Sequence, residues 1–265
     1  MPEGDTVWLT ARRLHQALAG APLQTADLRV PALATTDLTG RSVHEIRPRG
    51  KHLLIRLEGE LTLHSHLRMD GKWVIDRAGG RWHGGPAHQV RIVLENGQWR
   101  ALGFRVHDIS IVATADEGRL VGHLGPDLLG PDWDAAEATR RVASDPDRAL
   151  GEALLDQRNL AGIGNLYQNE TAFLSGCTPW TPVGDIADIG AVVARARRLM
   201  RANRDHPEQS TTGELRRGAT HWVYGRARQP CLRCRTPVRT ARLGPPPTDR
   251  IAYWCSHCQS GPAPD

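Results

Sequence analysis

The sequence predicts an α+β chain with a β-sandwich and flanking helix first, a helical region next and a small cysteine module last. Three observations predict this. Between Leu28 and Val112, short apolar runs are broken by Gly, Pro and Asn, as in an antiparallel sandwich or barrel. From Ala135 to Thr220 the apolar residues recur at helical spacing. From Cys231 onward, two C-x2-C pairs replace any extended apolar pattern.

Thr6–Ala19 places Val7, Leu14 and Leu18 on one face with Arg12 and Arg13 between them, which predicts an amphipathic helix. Strands are expected at Lys51–Leu57, Glu60–His66, Lys72–Asp76, Val90–Leu94, Gln98–Leu102 and Ile109–Val112. Asn96-Gly97 between two of these runs is a hairpin signal, because both residues tolerate the positive φ of a tight turn. Thr114–Pro131, rich in Gly and Pro, reads as a loop-like link and hinge. Helices are then expected at Ala135–Ala143, Pro146–Gln157, Asn165–Ser175, Ile186–Arg204 and Ser210–Thr220. Gly244-Pro245-Pro246-Pro247 forms the long turn of the last module.

With 265 residues, 40% apolar and 24% charged, the chain has globular composition, which argues against wholesale disorder or a fibre. No apolar run approaches the ~18 residues of a membrane span. The start, Met1-Pro2-Glu3-Gly4-Asp5, lacks the basic and apolar pattern of a secretory signal, so a soluble cytoplasmic protein without a membrane partner is expected. Net charge is +5, but it is unevenly placed. Residues 195–228 hold nine Arg against Asp205, Glu208 and Glu214, and residues 229–265 hold five Arg against Asp249 and Asp265. The first 194 residues are therefore net acidic. A basic C-terminal third suits a polyanion, foremost nucleic acid, although a solvated basic face has the same composition. Only Lys51 and Lys72 are lysines.

Cys231, Cys234, Cys255 and Cys258 have zinc-ribbon spacing: each C-x2-C turn can aim two thiolates at one metal. Two disulfides are the alternative, disfavoured where no secretory signal points to an oxidising compartment. One structural Zn2+ is expected, since four thiolates leave no open coordination position, and no organic cofactor is expected. Cys177 is left over as a helix-end residue.

Pro2 follows the initiator Met. Removal of Met1 exposes a secondary amine of pKa near ~8, far more often neutral at pH 7 than a lysine. Such an amine can attack a sugar carbon and form an iminium ion, with Glu3 beside it handling protons, though many proteins begin Met-Pro without any such chemistry. Lys51, in Arg47-Pro48-Arg49-Gly50-Lys51-His52-Leu53-Leu54, stands where a strand begins; it can hold a phosphate, donate a proton or simply be exposed. In Asp156–Glu170 a helix is expected to stop near Asn159, Gly162-Ile163-Gly164 to turn, and Asn165 to cap the next helix. That turn presents backbone N–H groups and a helix dipole to a phosphate, with a plain helix–turn–helix hairpin as the alternative. Arg250 begins the strand leading into the second cysteine pair, a rigid mount for a group that reaches into a duplex, with a merely solvated arginine as the alternative.

Taken in order, these pieces resemble the formamidopyrimidine-DNA glycosylase / endonuclease VIII family of base-excision repair enzymes. The resemblance runs from Pro2-Glu3-Gly4 through the Arg49-Gly50-Lys51-His52-Leu53-Leu54 strand and the Leu155-Asp156-Gln157 … Asn165-Leu166-Tyr167 segment. It continues in Val223-Tyr224-Gly225-Arg226 and ends at Tyr253-Trp254-Cys255-Ser256-His257-Cys258-Gln259. It implies a catalytic β-sandwich domain (1–115), a linker (116–134), a helix–two-turn–helix domain (135–223) and a zinc-finger ribbon (224–265).

The resemblance also implies roles: Pro2 as nucleophile on the anomeric carbon of a flipped-out damaged nucleotide, Glu3 in sugar-ring opening and proton transfer, and Lys51 on a nearby phosphate. It implies that Asn165 and Arg250 grip the backbone of damaged DNA, in a cleft between domains, and that Met69 wedges into the gap left by the flipped base. An ordinary core methionine is the alternative at Met69. A β/δ-elimination lyase step accompanies base release, no metal takes part in bond breaking, and a monomer is expected. Two places depart from the family wording. Asp5 and Thr6 stand where members commonly have Pro-Glu, and Leu102-Gly103-Phe104-Arg105-Val106 lacks the usual Arg-Arg-Phe-Gly. The Pro-Glu-Gly start and the short Ser210–Tyr224 stretch favour the endonuclease VIII branch and oxidised pyrimidines. An oxidised-purine glycosylase, or a catalytically silent damaged-DNA-binding protein on the same scaffold, are the alternatives.

Overall fold

The computed structural model describes residues 2–264. The elements run α1 (Gly4–Leu18), β1 (Thr25–Leu28), β2 (Val43–Arg49), β3 (His52–Leu57), β4 (Leu61–His66), β5 (Lys72–Arg77), β6 (Val90–Glu95), β7 (Trp99–Phe104), β8 (Asp108–Ala113), α2 (Gly118–Val121), α3 (Ala135–Val142), α4 (Leu150–Leu155), α5 (Asn165–Leu174), α6 (Ile189–Asn203), β9 (Arg239–Leu243) and β10 (Arg250–Trp254). The chain divides between His123 and Leu124 into two compact units.

In the first unit two four-stranded antiparallel sheets, β1-β6-β7-β5 and β2-β3-β4-β8, make the expected sandwich. Alternation sends Leu53, Ile55 and Leu63 from one sheet and Ile92, Leu94 and Ala101 from the other into a shared core. Val7, Ala11, Leu14 and Leu18 follow each other on one stripe of α1 and close that core from the side. Each fully buried leucine or isoleucine there contributes roughly 1.5–3 kcal/mol relative to exposure. His15 Nδ1 accepts the Ile46 N–H at 3.1 Å, fastening the end of α1 to β2. Asn96 organises the β6–β7 turn: its side-chain oxygen accepts from the N–H groups of Gln98 and Trp99, while Nδ2 donates to the Ala17 carbonyl.

The stretch read as a loop-like link is more ordered than its Gly and Pro content suggests. Thr114–Asp116 is a helical turn and α2 follows. Glu117 holds it: its carboxylate takes both Nε and Nη2 of Arg56, at 2.8 and 2.7 Å, and the Thr62 hydroxyl at 2.7 Å. The partner of a linker acid on a distant strand leaves no mark in local composition.

In the second unit, two expected helices are corrected. Pro146–Gln157 is helical only over α4, because Ala149 pairs with Pro182 and the N–H groups of Leu150 and Gly151 donate to Thr181 and Pro179. Ser210–Thr220 is not helical at all. Gly213 and Gly218 have φ of +86° and +80°, and the Ser210 and Thr212 hydroxyls bond to nearby carbonyls that a helix would otherwise use. α5 is buried nearly throughout, and within it the Glu170 carboxylate accepts the backbone N–H groups of Trp222, Val223 and Tyr224 and the Thr211 hydroxyl. β9 and β10 pair as the antiparallel hairpin of the ribbon.

Candidate active site and nucleic-acid interface

Pro2 is half-buried, just ahead of α1. Glu3 is 0% exposed and stands at the helix start, its carbonyl accepting the Val7 N–H at 3.0 Å. Asp5 is buried in the first helical turn, where its charge complements the helix dipole. Met1, whose removal would free the Pro2 nitrogen, lies outside the described residues.

Lys51 is one residue short of the expected strand: it follows Gly50 in the two-residue turn joining β2 to β3, and β3 begins at His52. Gly50 has φ +57°, the conformation a tight hairpin of this length demands. α1, which starts directly after Glu3, packs across β2 and β3, the two strands that the Gly50-Lys51 turn joins.

Beside Lys51, the sheet carries a cluster that the sequence reading missed. His52 is the register partner of His66, and His64 lies two residues along on the same face. His52 Nδ1 and His64 Nε2 share a hydrogen bond at 2.8 Å, and His64 Nδ1 reaches Ser110 Oγ at 3.2 Å. Burial, aided by the neighbouring imidazoles of His66, His64 and His123, pushes His52 down to about 3. Burial, with the charges of Arg68 and Lys51, pushes His66 down to about 4. These imidazoles are therefore neutral at neutral pH. The alternation His64-x-His66 opposite His52 was the available signal, and it required the strand register.

Met69 is 66% exposed, which removes the core-methionine alternative. Its loop is built to present it. Gly71 N–H donates to Leu67 O at 2.9 Å, and a Cβ at Gly71 would come within 2.5 Å of that oxygen, so only glycine closes this turn. Arg68 pairs with Asp108 at 2.7 Å and Arg105 with Asp70 at 3.2 Å, pinning the loop on either side of Met69.

In the second unit, Gln157 shapes the turn before α5. Its Nε2 donates to Leu155 O and Ile163 O, and its Oε1 accepts the Gly162 N–H. Gly162 has φ +101°. The cap of α5 is Gly164 rather than Asn165, which is the first helical residue. Asn165 is 7% exposed and its Nδ2 donates to Ile251 O at 2.9 Å, so the predicted phosphate-turn residue is bonded to the ribbon. Arg250 is exposed at the start of β10, with Nη1 donating to Thr248 O and Asp249 O at 2.8 and 2.9 Å. The structure thus brings Asn165 and the Arg250 strand together.

The four ribbon cysteines converge. Their Sγ atoms all lie within 4.8 Å of one another, with Cys234–Cys255 at 3.4 Å and Cys231–Cys258 at 4.0 Å. All are free thiols, and these separations are about twice a disulfide bond. A tetrahedron of sulfurs around one ion with ~2.3 Å bonds has edges of about 3.8 Å, between these two separations. The cysteines therefore form a site that could hold one metal ion.

Comparison with known proteins assigns stretches of both units to one family. Residues 1–109 match the formamidopyrimidine-DNA glycosylase N-terminal domain, and residues 124–208 match the H2TH domain of the same enzymes. The chain belongs to the formamidopyrimidine-DNA glycosylase family. Within the family, it is 59% identical to "Probable endonuclease 8 2" of Streptomyces coelicolor, over 100% of this chain and 96% of that one. It is 48% identical to the DNA-(apurinic or apyrimidinic site) lyase Nei2 of Mycolicibacterium smegmatis, over 98% of this chain and 99% of that one. Identity to the formamidopyrimidine-DNA glycosylase of Methylococcus capsulatus is 32%, over 98% and 100% of the two chains. A solved complex of the Lactococcus lactis Fpg with abasic-site DNA shares the fold at TM-score 0.79 and 19% identity, covering 98% of this chain and 100% of that one. No helix among the described residues is long and apolar enough to cross a membrane.

Proposed function

We propose that this family member is a base-excision DNA glycosylase with abasic-site lyase activity, acting on oxidised bases with pyrimidines favoured. The observation that carries the reading is the whole-length similarity to an endonuclease 8 and an abasic-site lyase in a chain that keeps Pro2 directly before the fully buried Glu3. The 59% identity to the Streptomyces coelicolor endonuclease 8 2, against 32% to the formamidopyrimidine-DNA glycosylase, supports the pyrimidine branch.

In this mechanism the Pro2 nitrogen, freed of Met1, gives its lone pair to the anomeric carbon, and the base leaves with the electrons of the glycosidic bond and a proton. Glu3 passes a proton to the ring oxygen as the sugar opens to a Pro2 iminium. Loss of a C2′ proton then expels the 3′ phosphate, a further elimination expels the 5′ phosphate, and water hydrolyses the imine to regenerate the amine. Lys51 steadies a phosphate at the damaged nucleotide. Met69, held out by its pinned loop, fills the space the base vacates; a flexible thioether suits an irregular apolar gap. Asn165 and Arg250 serve the flanking backbone. Cys231, Cys234, Cys255 and Cys258 would hold one Zn2+, whose contribution is to cross-link the ribbon. DNA is the partner, the chain acts as a monomer, and it works in the cytoplasm at the nucleoid.

Borohydride trapping on an oligonucleotide with an abasic site, followed by mass mapping, tests the reading. A cross-link on a peptide beginning at Pro2 is expected. DNA binding without a cross-link, in protein shown to lack Met1, would overturn it in favour of a silent damaged-DNA-binding protein.

A further inference from the structure

Along α6 the sequence from Ile189 to Arg204 contains no Asp or Glu but five arginines. Arg197, Arg201 and Arg204 fall at i, i+4 and i+7 and so share one stripe, with Arg198 beside them. Between α3 and this stripe lies a cavity of about 610 Å³, its floor formed by Val193 and Ala194 and its rim by Trp133, the arginines and one acid, Asp205. Arg197 sits 4.9 Å from the Trp133 ring centroid and donates from Nε to Leu128 O at 3.2 Å, so its guanidinium is fixed in place. Asp205 pairs with Arg204 at 3.3 Å. Arg198 and Arg201 are exposed and, among the described residues, form no ion pair. Burial, with the positive charges of Arg201 and Arg204, lowers the affinity of Arg197 for its proton.

The geometry points to a second, sequence-independent DNA contact here, in which the α6 arginines take consecutive backbone phosphates of duplex outside the lesion. A stripe of seven residues covers about 10 Å of helix axis, the span of about three phosphates along one strand. A single small anion would need one convergent pocket, whereas these guanidiniums repeat over two turns of helix. Arginine forks suit phosphate oxygens, and the apolar floor faces the C–H surface of deoxyribose. An acidic protein segment is the competing occupant. The inference rests on the DNA-repair reading but concerns none of its site residues.

The test is fluorescence anisotropy of the full chain on an undamaged 30-base-pair duplex across a salt series, comparing wild type with the R198Q/R201Q double variant. Loss of two phosphate contacts should flatten the slope of log K against log salt by about 1.8 and weaken binding at low salt by tenfold or more. Borohydride trapping on a saturating abasic oligonucleotide should be unchanged. An unchanged slope with an unchanged melting temperature would overturn the inference, as would an unchanged slope with loss of poly-glutamate binding, which would assign the surface to an acidic protein. Failure of the catalytic reading registers separately, as absence of trapping in the wild type.

Discussion

Asn165 Nδ2 donates to the carbonyl of Ile251 at 2.9 Å, bonding the first residue of α5 to the strand that begins with Arg250. Asn169, one turn on, repeats the link: its Oδ1 accepts the Tyr253 N–H at 2.6 Å and its Nδ2 donates to Asn165 O. The two residues predicted to grip the DNA backbone are therefore carried by one hydrogen-bonded frame. Asn165→Ala leaves a carbonyl without its donor, at a cost of about 1–3 kcal/mol. Both the melting temperature and the affinity for abasic DNA should fall. A full-affinity, full-stability variant would sink the assignment.

At the N-terminus, P2G should slow base release and abolish most borohydride trapping, and E3Q should abolish base release while DNA binding survives. Single-turnover assays on a thymine-glycol duplex, paired with anisotropy, separate the two effects. Full base release by E3Q would refute the role given to Glu3.

Glu170 accepts three backbone N–H groups and one hydroxyl while 0% exposed. E170Q replaces one acceptor with an amide that points hydrogens at donors. The expected cost is about 2–3 kcal/mol, or roughly 5–10 °C in melting temperature. Calorimetry checks it, and a shift under 2 °C would contradict the network.

Acid should destabilise the first unit before carboxylates titrate. His52 and His66 have folded pKa values of about 3 and about 4, below the unfolded value near 6.5. The unfolded chain thus binds more protons between those limits. Stability is complete above pH 6.5 and declines as pH falls toward 4. Melting temperatures from pH 7 to 4.5 should drop by several degrees, and H52Q should flatten that slope. Identical slopes in wild type and variant would show that the buried imidazoles do not carry the effect.

One equivalent of zinc should be recovered per chain by elemental analysis, and chelation should loosen the ribbon and weaken DNA binding by tenfold or more. Undiminished affinity after verified metal loss would remove Arg250 from the DNA contact.

The sequence alone determined the parts whose signals are local. α1 was visible in its apolar spacing, the β6–β7 hairpin in Asn96-Gly97, and the cysteine site in its doubled C-x2-C pattern. Chain order then joined Pro2, Glu3, Lys51 and the turn before α5 into a family resemblance. The tertiary structure alone decided which polar groups meet. It placed Glu117 on Arg56, Glu170 under Trp222–Tyr224, Asn165 on Ile251, and three histidines on one face of two strands. It also denied Ser210–Thr220 its helix, since glycines at positive φ and bonding hydroxyls outweighed the apolar spacing. The physical reason is one of range. Periodicity and turn chemistry act over a few residues, whereas the partner of a buried donor or acceptor is chosen by packing across the chain.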